Sequence, residues 1–179
     1  MSKYISLTAI GKDKPGIVSA VTKVLYGLKC NIEDSTMTIL HGQFAMILII
    51  KLSPSVALKK LSCDISKEAK RLGMSVSLSP VGYAKKKKEK TTPYVISVYG
   101  ADKTGIVYNI SKYLAEKKIN ITDVQTALAN LKTGKTYIML IEARFPEKLS
   151  VQKISAELAV ISKNLGVSVS VNRAESSKI

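Results

Sequence analysis

The chain has 179 residues, 46% of them hydrophobic and 23% charged, with a net charge of +15; such a composition is globular, not disordered, and the length suits one domain or two small ones. No apolar run approaches the roughly twenty residues of a membrane helix, and the N-terminus lacks a charged-then-apolar leader. Two cysteines without CxxC spacing and a single histidine argue against a disulfide framework or a zinc cluster.

The first expected strand is Tyr4 to Ile10, with Ile5, Leu7 and Ala9 on one face and Ser6 and Thr8 on the other. A loop follows from Gly11 to Lys14, with Asp13 suited to cap a helix and Pro15 to its first turn. That helix runs to about Leu28 on the stripe Ile17, Val21, Val24, Leu25 and Leu28. Cys30 to Leu40 is the second strand, His41-Gly42 a tight hairpin, and Gln43 to Leu52 the third strand, ended by Pro54. A second helix spans about Val56 to Leu72, with Gly73 after its C-terminus, and Met74 to Val81 is the last strand. The third strand is apolar on both sides, so the helix-free face of its sheet is expected to be covered by the other half of the chain or by another chain.

Gly82 to Thr92 reads as a linker, its four consecutive lysines a solvated tether. The plan then repeats. Strands are expected at Pro93–Gly100, Ile119–Asn130, Lys135–Arg144 and Val167–Val171, and helices at Thr104–Lys118 and Val151–Leu165. Residues 11–34 share 12 of 24 positions with the residues 89 further on, so the halves are copies of one unit. The expected domains are 1–81 and 93–174, with the linker at 82–92 and a frayed tail at 175–179. The element order is β-α-β-β-α-β in each, an α+β fold of two tandem ferredoxin-like units, antiparallel sheets with both helices on one face.

The bases outnumber the acids 11 to 5 in residues 1–81, 5 to 1 in 82–92 and 12 to 7 in 93–179, and only three of the 28 are Arg. A diffuse lysine coat suits solubility better than base reading, which favours the Arg fork. Cys30 and Cys63 read as buried reduced thiols of a cytoplasmic protein. No triad, HExxH, Walker A or GxGxxG is present, so no catalytic residue, metal ligand or cofactor is expected.

The candidate binding site is the turn after each first strand. A helix N-terminus offers free amides and a partial positive charge, and Gly16 and Gly105 let a carboxylate approach them. Asp13 and Asp102 stand beside those glycines to meet an ammonium group, with Asn31 and Asn120 expected next to the same turns. Carboxylate plus ammonium is the chemistry of a free α-amino acid. The plainer alternative makes Asp13 a cap, Gly16 a packing residue and Asn31 a turn former.

The run Gly11-Lys12-Asp13-Lys14-Pro15-Gly16-Ile17-Val18, then Asn31-Ile32-Glu33-Asp34 one helix later, on a βαββαβ unit, resembles an ACT domain. Two such units cover nearly the whole chain, similar to the tandem ACT proteins of the glycine-cleavage-repressor-like family. The resemblance implies a non-enzymatic regulatory module binding a small molecule, usually an amino acid, often at an interface between ACT units. It also implies a homo-oligomer or a regulatory protein partner. It places ligand contacts at Asp13, Pro15, Gly16, Ile17 and Asn31, and at Asp102, Gly105, Ile106 and Asn120; Thr104 replaces the family's proline in the second copy. Two competing readings remain. One is an RRM-like nucleic-acid binder, disfavoured because the third strands lack the RNP1 aromatic pattern. The other is an interaction module with a vestigial pocket.

Overall fold

The computed structural model describes residues 3–82, 90–131 and 134–174. The expected tail at 175–179 and the lysine-rich stretch 83–89 lie outside them. The chain divides into two compact units, Met1–Lys86 and Lys87–Ile179.

Unit 1 comprises β1 (Lys3–Lys12), α1 (Ile17–Gly27), β2 (Asn31–Leu40), β3 (Gln43–Leu52), α2 (Leu58–Leu72) and β4 (Met74–Val81). Unit 2 repeats this as β5 (Thr91–Gly100), α3 (Ile106–Glu116), β6 (Asn120–Leu131), β7 (Gly134–Pro146), α4 (Val151–Leu165) and β8 (Val167–Arg173). Each sheet is antiparallel, in the order β2-β3-β1-β4 and β6-β7-β5-β8. These are the two tandem ferredoxin-like units expected from the sequence.

Alternation dictates the core. Ile5, Leu7 and Ala9 of β1 and Phe44, Met46, Leu48 and Ile50 of β3 face the helices, and they pack against Ile17, Val21, Leu25, Leu61 and Ile65. Unit 2 builds the same core from Ile96, Val98, Met139, Ile141 and Ala143 against α3 and α4. The helix-free faces stay partly open: Ile47 is 45% and Leu140 38% exposed.

Several local expectations shift. β1 runs on through Gly11 and Lys12, because the His41-Gly42 turn, with positive φ at both residues, starts β3 early enough to pair with them. β5 starts at Thr91, inside the expected linker. Cys63 is exposed, not buried, since it lies off the Leu61–Ile65–Ala69–Leu72 stripe of α2; Cys30 is half-buried. α1 and α3 each end in a left-handed lysine, Lys29 and Lys118, where the sequence offered no glycine.

Two glycines fix the end of the first strand of each unit. A Cβ on Gly11 would stand 2.8 Å from Met74 Cγ, and one on Gly100 would stand 2.8 Å from Val167 Cα and 2.9 Å from the Gly166 oxygen. The strand thus lies directly against the junction of the second helix and last strand. In unit 2 the helices are also clamped. Tyr113 donates its hydroxyl proton to Glu157 Oε2 at 2.8 Å, and Lys117 pairs with the same carboxylate. The hydrogen bonds from Lys117 and Tyr113 hold the Glu157 carboxyl below its usual value of 4.5.

Two outcomes follow in urea unfolding. Gly100→Ala costs about 1–3 kcal/mol and Gly11→Ala less, because backbone cannot give way as the Met74 side chain can. A carboxyl whose pKa is lowered on folding adds stability above its unfolded pKa, and loses it as pH falls through the folded one. Unit 2 therefore weakens as pH drops below 4.5, and Glu157→Gln flattens that part of the profile.

Candidate functional site

The turn after β1 forms a pocket. It measures about 430 Å³ and is lined by Asp13 to Ser19 together with Ile39 of β2 and Phe44 of β3. Its wall is the start of α1. Gly16 is the N-cap residue, at φ 95°, and no side chain caps the helix. The amides of Ile17, Val18 and Ser19 precede the first intrahelical bond, which Ala20 N–H donates to the Gly16 oxygen at 3.0 Å. Ser19 donates its hydroxyl proton to that oxygen as well, at 3.0 Å. A left-handed N-cap strongly favours glycine, which explains the second glycine of the repeated motif, as the close approach explains the first.

Asp13 is not the helix cap. Its backbone N–H donates to the Gly42 oxygen at 2.8 Å, tying the turn to the β2–β3 hairpin, and its side chain is exposed at the pocket mouth. Pro15 precedes the helix and does not enter its first turn, because the chain turns through Gly16 first. Ile17 is buried and anchors the helix start in the core.

Unit 2 builds the same turn around Asp102, Gly105 at φ 94° and a buried Ile106. Here Asn109 donates its side-chain amide to the Gly105 oxygen at 2.8 Å. Tyr137 and Leu128 pair across the strands as Phe44 and Ile39 do in unit 1. Burial pushes the Tyr137 hydroxyl pKa up and the Asp102 charge adds to it, while the hydroxyl donates to Met139 Sδ at 3.8 Å.

Asn31 and Asn120 do not join these turns within their own units. Asn31 and Tyr4 both lie opposite Lys51, whereas Gly11 lies opposite Phe44. Seven strand residues separate the two levels, roughly 23 Å at the usual rise. Asn120 is displaced in the same way, level with Pro93 and Arg144 while Gly100 is level with Tyr137. The crossover helix is the cause: it returns the chain to the end of the sheet where the first strand began. Asn31 instead donates its side-chain amide to Glu33 Oε1 at 2.9 Å.

The sequence reading missed Ile39 and Phe44. Their signal was the two-residue hairpin, which sets the β2–β3 register and places both at the turn end of the sheet. No group of three or more His, Cys, Asp or Glu could hold a metal ion among the described residues, and none of their helices is long and apolar enough to cross a membrane.

The ACT domain model matches residues 3–79 and 92–172. The chain belongs to the ACT domain family. A UPF0237 protein of Clostridium acetobutylicum is 38% identical over 77 residues, 42% of this chain and 86% of the relative. The glycine cleavage system transcriptional repressor of Escherichia coli is 40% identical over 47 residues, 26% of this chain and 25% of that protein. Two crystal structures share the tandem fold at low identity. An unknown protein from Galdieria sulphuraria has a TM-score of 0.80 at 24% identity, covering 98% of this chain and 100% of that one. A protein described as a candidate glycine cleavage system transcriptional repressor has a TM-score of 0.71 at 20% identity, covering 98% and 99%. The chain is thus a tandem ACT protein related to regulatory proteins.

Proposed function

We propose that this ACT protein is a non-enzymatic regulator that binds a free amino acid at the turn after β1. The carrying observation is the pocket itself, where uncapped amides at the start of α1, the exposed Asp13 and an apolar wall of Ile39 and Phe44 converge. The ligand carboxylate accepts from the amides that follow Gly16. Its ammonium group faces Asp13, and its side chain lies toward Ile39 and Phe44.

Asn31 contributes from a second copy of the chain. β2 is an edge strand with all ten residues exposed, and Ile39 and Leu40 are 59% and 68% exposed. An apolar edge with unpaired amides and carbonyls is a template for another strand. Antiparallel pairing of two β2 edges would bring the start of one strand beside the end of the other. The second copy's Asn31 would then lie near the Gly16 turn that its own unit keeps it from. Ligand binding and self-association would be coupled, each strengthening the other.

The RNA reading finds no support in the sheet of unit 1. The helix-free face of unit 1 presents Ser6, Thr8, Ala45 and Ile47 at its centre, with no aromatic pair on which bases could stack.

Thermal unfolding is the screen, with each common amino acid added at millimolar concentration. One ligand or a small related set is expected to raise the midpoint. Asp13→Ala and Asn31→Ala are each expected to weaken its affinity about tenfold or more, as loss of a charged hydrogen bond does, with the ligand-free midpoint unchanged. No shift with any amino acid contradicts the proposal, and a shift that survives both substitutions moves the site elsewhere.

A further inference from the structure

The two units differ between their helices. α1 and α3 match residue for residue, Ile17 with Ile106, so Tyr113 and Lys117 correspond to Val24 and Leu28. α2 and α4 match likewise, Leu58 with Val151, so Glu157 corresponds to Asp64. In unit 2 the Tyr113 ring fills the space between the helices. It is 7% exposed, its hydroxyl is bonded to Glu157, and the Lys117 ammonium lies 5.3 Å from the ring centroid. In unit 1 the corresponding place is an open groove of about 420 Å³ floored by Val24 and Leu28. The molecule thus carries both a socket and, in its own second half, an example of the side chain that fits one.

The rim of the groove states the charge of its occupant. Lys23, Lys60 and Lys67 surround it, with Asp64 and Glu68. Asp64 is already paired with Lys60 and Glu68 with Arg71, and no acid pairs with Lys23 or Lys67 among the described residues. A partner that meets this rim gains most from carboxylates, on a chain whose net charge is +15. We infer that the α1–α2 groove of unit 1 is a docking site for an acidic protein segment that inserts a tyrosine. Its ring rests on Val24 and Leu28 as Tyr113 rests in unit 2, its hydroxyl donates to Asp64, and flanking carboxylates meet Lys23 and Lys67. The groove lies on the helix layer, and the inference stands independently of the amino-acid site.

The test uses the full chain and two blocked peptides, Glu-Asp-Tyr-Asp-Glu and the same sequence with alanine for tyrosine, followed by nuclear magnetic resonance titration. Saturable shifts centred on Val24, Gly27 and Leu28 are expected with the first peptide and at least tenfold weaker binding with the second. The double variant Val24→Tyr with Leu28→Lys, which fills the groove from within, is expected to lose binding at least tenfold. Lys23→Glu with Lys67→Glu, two exposed positions that leave the core untouched, is expected to do the same. Equal binding of the two peptides overturns the inference, because charge alone then suffices. So does binding that survives both double variants, and so does a tyrosine amide that binds as well as the peptide.

Discussion

A chain that leaves a sheet through a helix on one face and re-enters it two strands away comes back running in its original direction. That constraint governs what each unit can bind. β1 and β2 both pair antiparallel with β3, so they run the same way, and the residue that opens β2 lies at the end where β1 begins. The Gly16 turn, which follows the far end of β1, is out of its reach. Unit 2 obeys the same rule with Asn120 and Gly105. On the proposed reading, a pocket that uses both an amide-rich helix start and an Asn on the second strand draws the two from different ACT units, and a second copy of the chain is the proposed source. Ligand recognition and association of copies would then be one equilibrium, a basis for the proposed regulation.

The scaffold holding that turn is close-packed behind it and open at the pocket. Gly11 and Gly100 are spaceless contacts against the helix–strand junction behind them, while Gly16 and Gly105 supply the left-handed step from which α1 and α3 begin. The two units have also diverged. Unit 1 keeps Pro15 and Phe44 at its turn and a groove between its helices; unit 2 has Thr104 and Tyr137 at the turn and a tyrosine clamp across the helices. Between the helices, duplication has left one unit open where the other is filled.

Much of this was legible in the residues. The 89-residue offset, the alternation of Ile5, Leu7 and Ala9 and the helical stripe beginning at Ile17 lead to the elements and to the core face without coordinates. Gly73 and Gly166 end their helices where such residues should. Relations across the sheet were harder to read. The neighbourhood of Asn31 depends on strand direction, which local spacing does not express, and Ile39 and Phe44 reach the pocket only through hairpin register. Asp13 has the composition of a cap, yet its backbone is engaged by Gly42 and the cap passes to Gly16. The correspondence of Tyr113 with Val24 was present in the repeat, but its meaning required knowing that both point between helices.

The most direct test of a site divided between copies is complementation in trans. Asp13→Ala and Asn31→Ala proteins are prepared separately, each is titrated calorimetrically with the amino acid that stabilises the unaltered chain, and an equal mixture is titrated after exchange. The account predicts that each variant alone binds about tenfold or more weakly and that about a quarter of the sites in the mixture regain full affinity, since one site is whole in each mixed twofold pair. A mixture that binds as weakly as its components would contradict it, as would either variant binding like the unaltered protein.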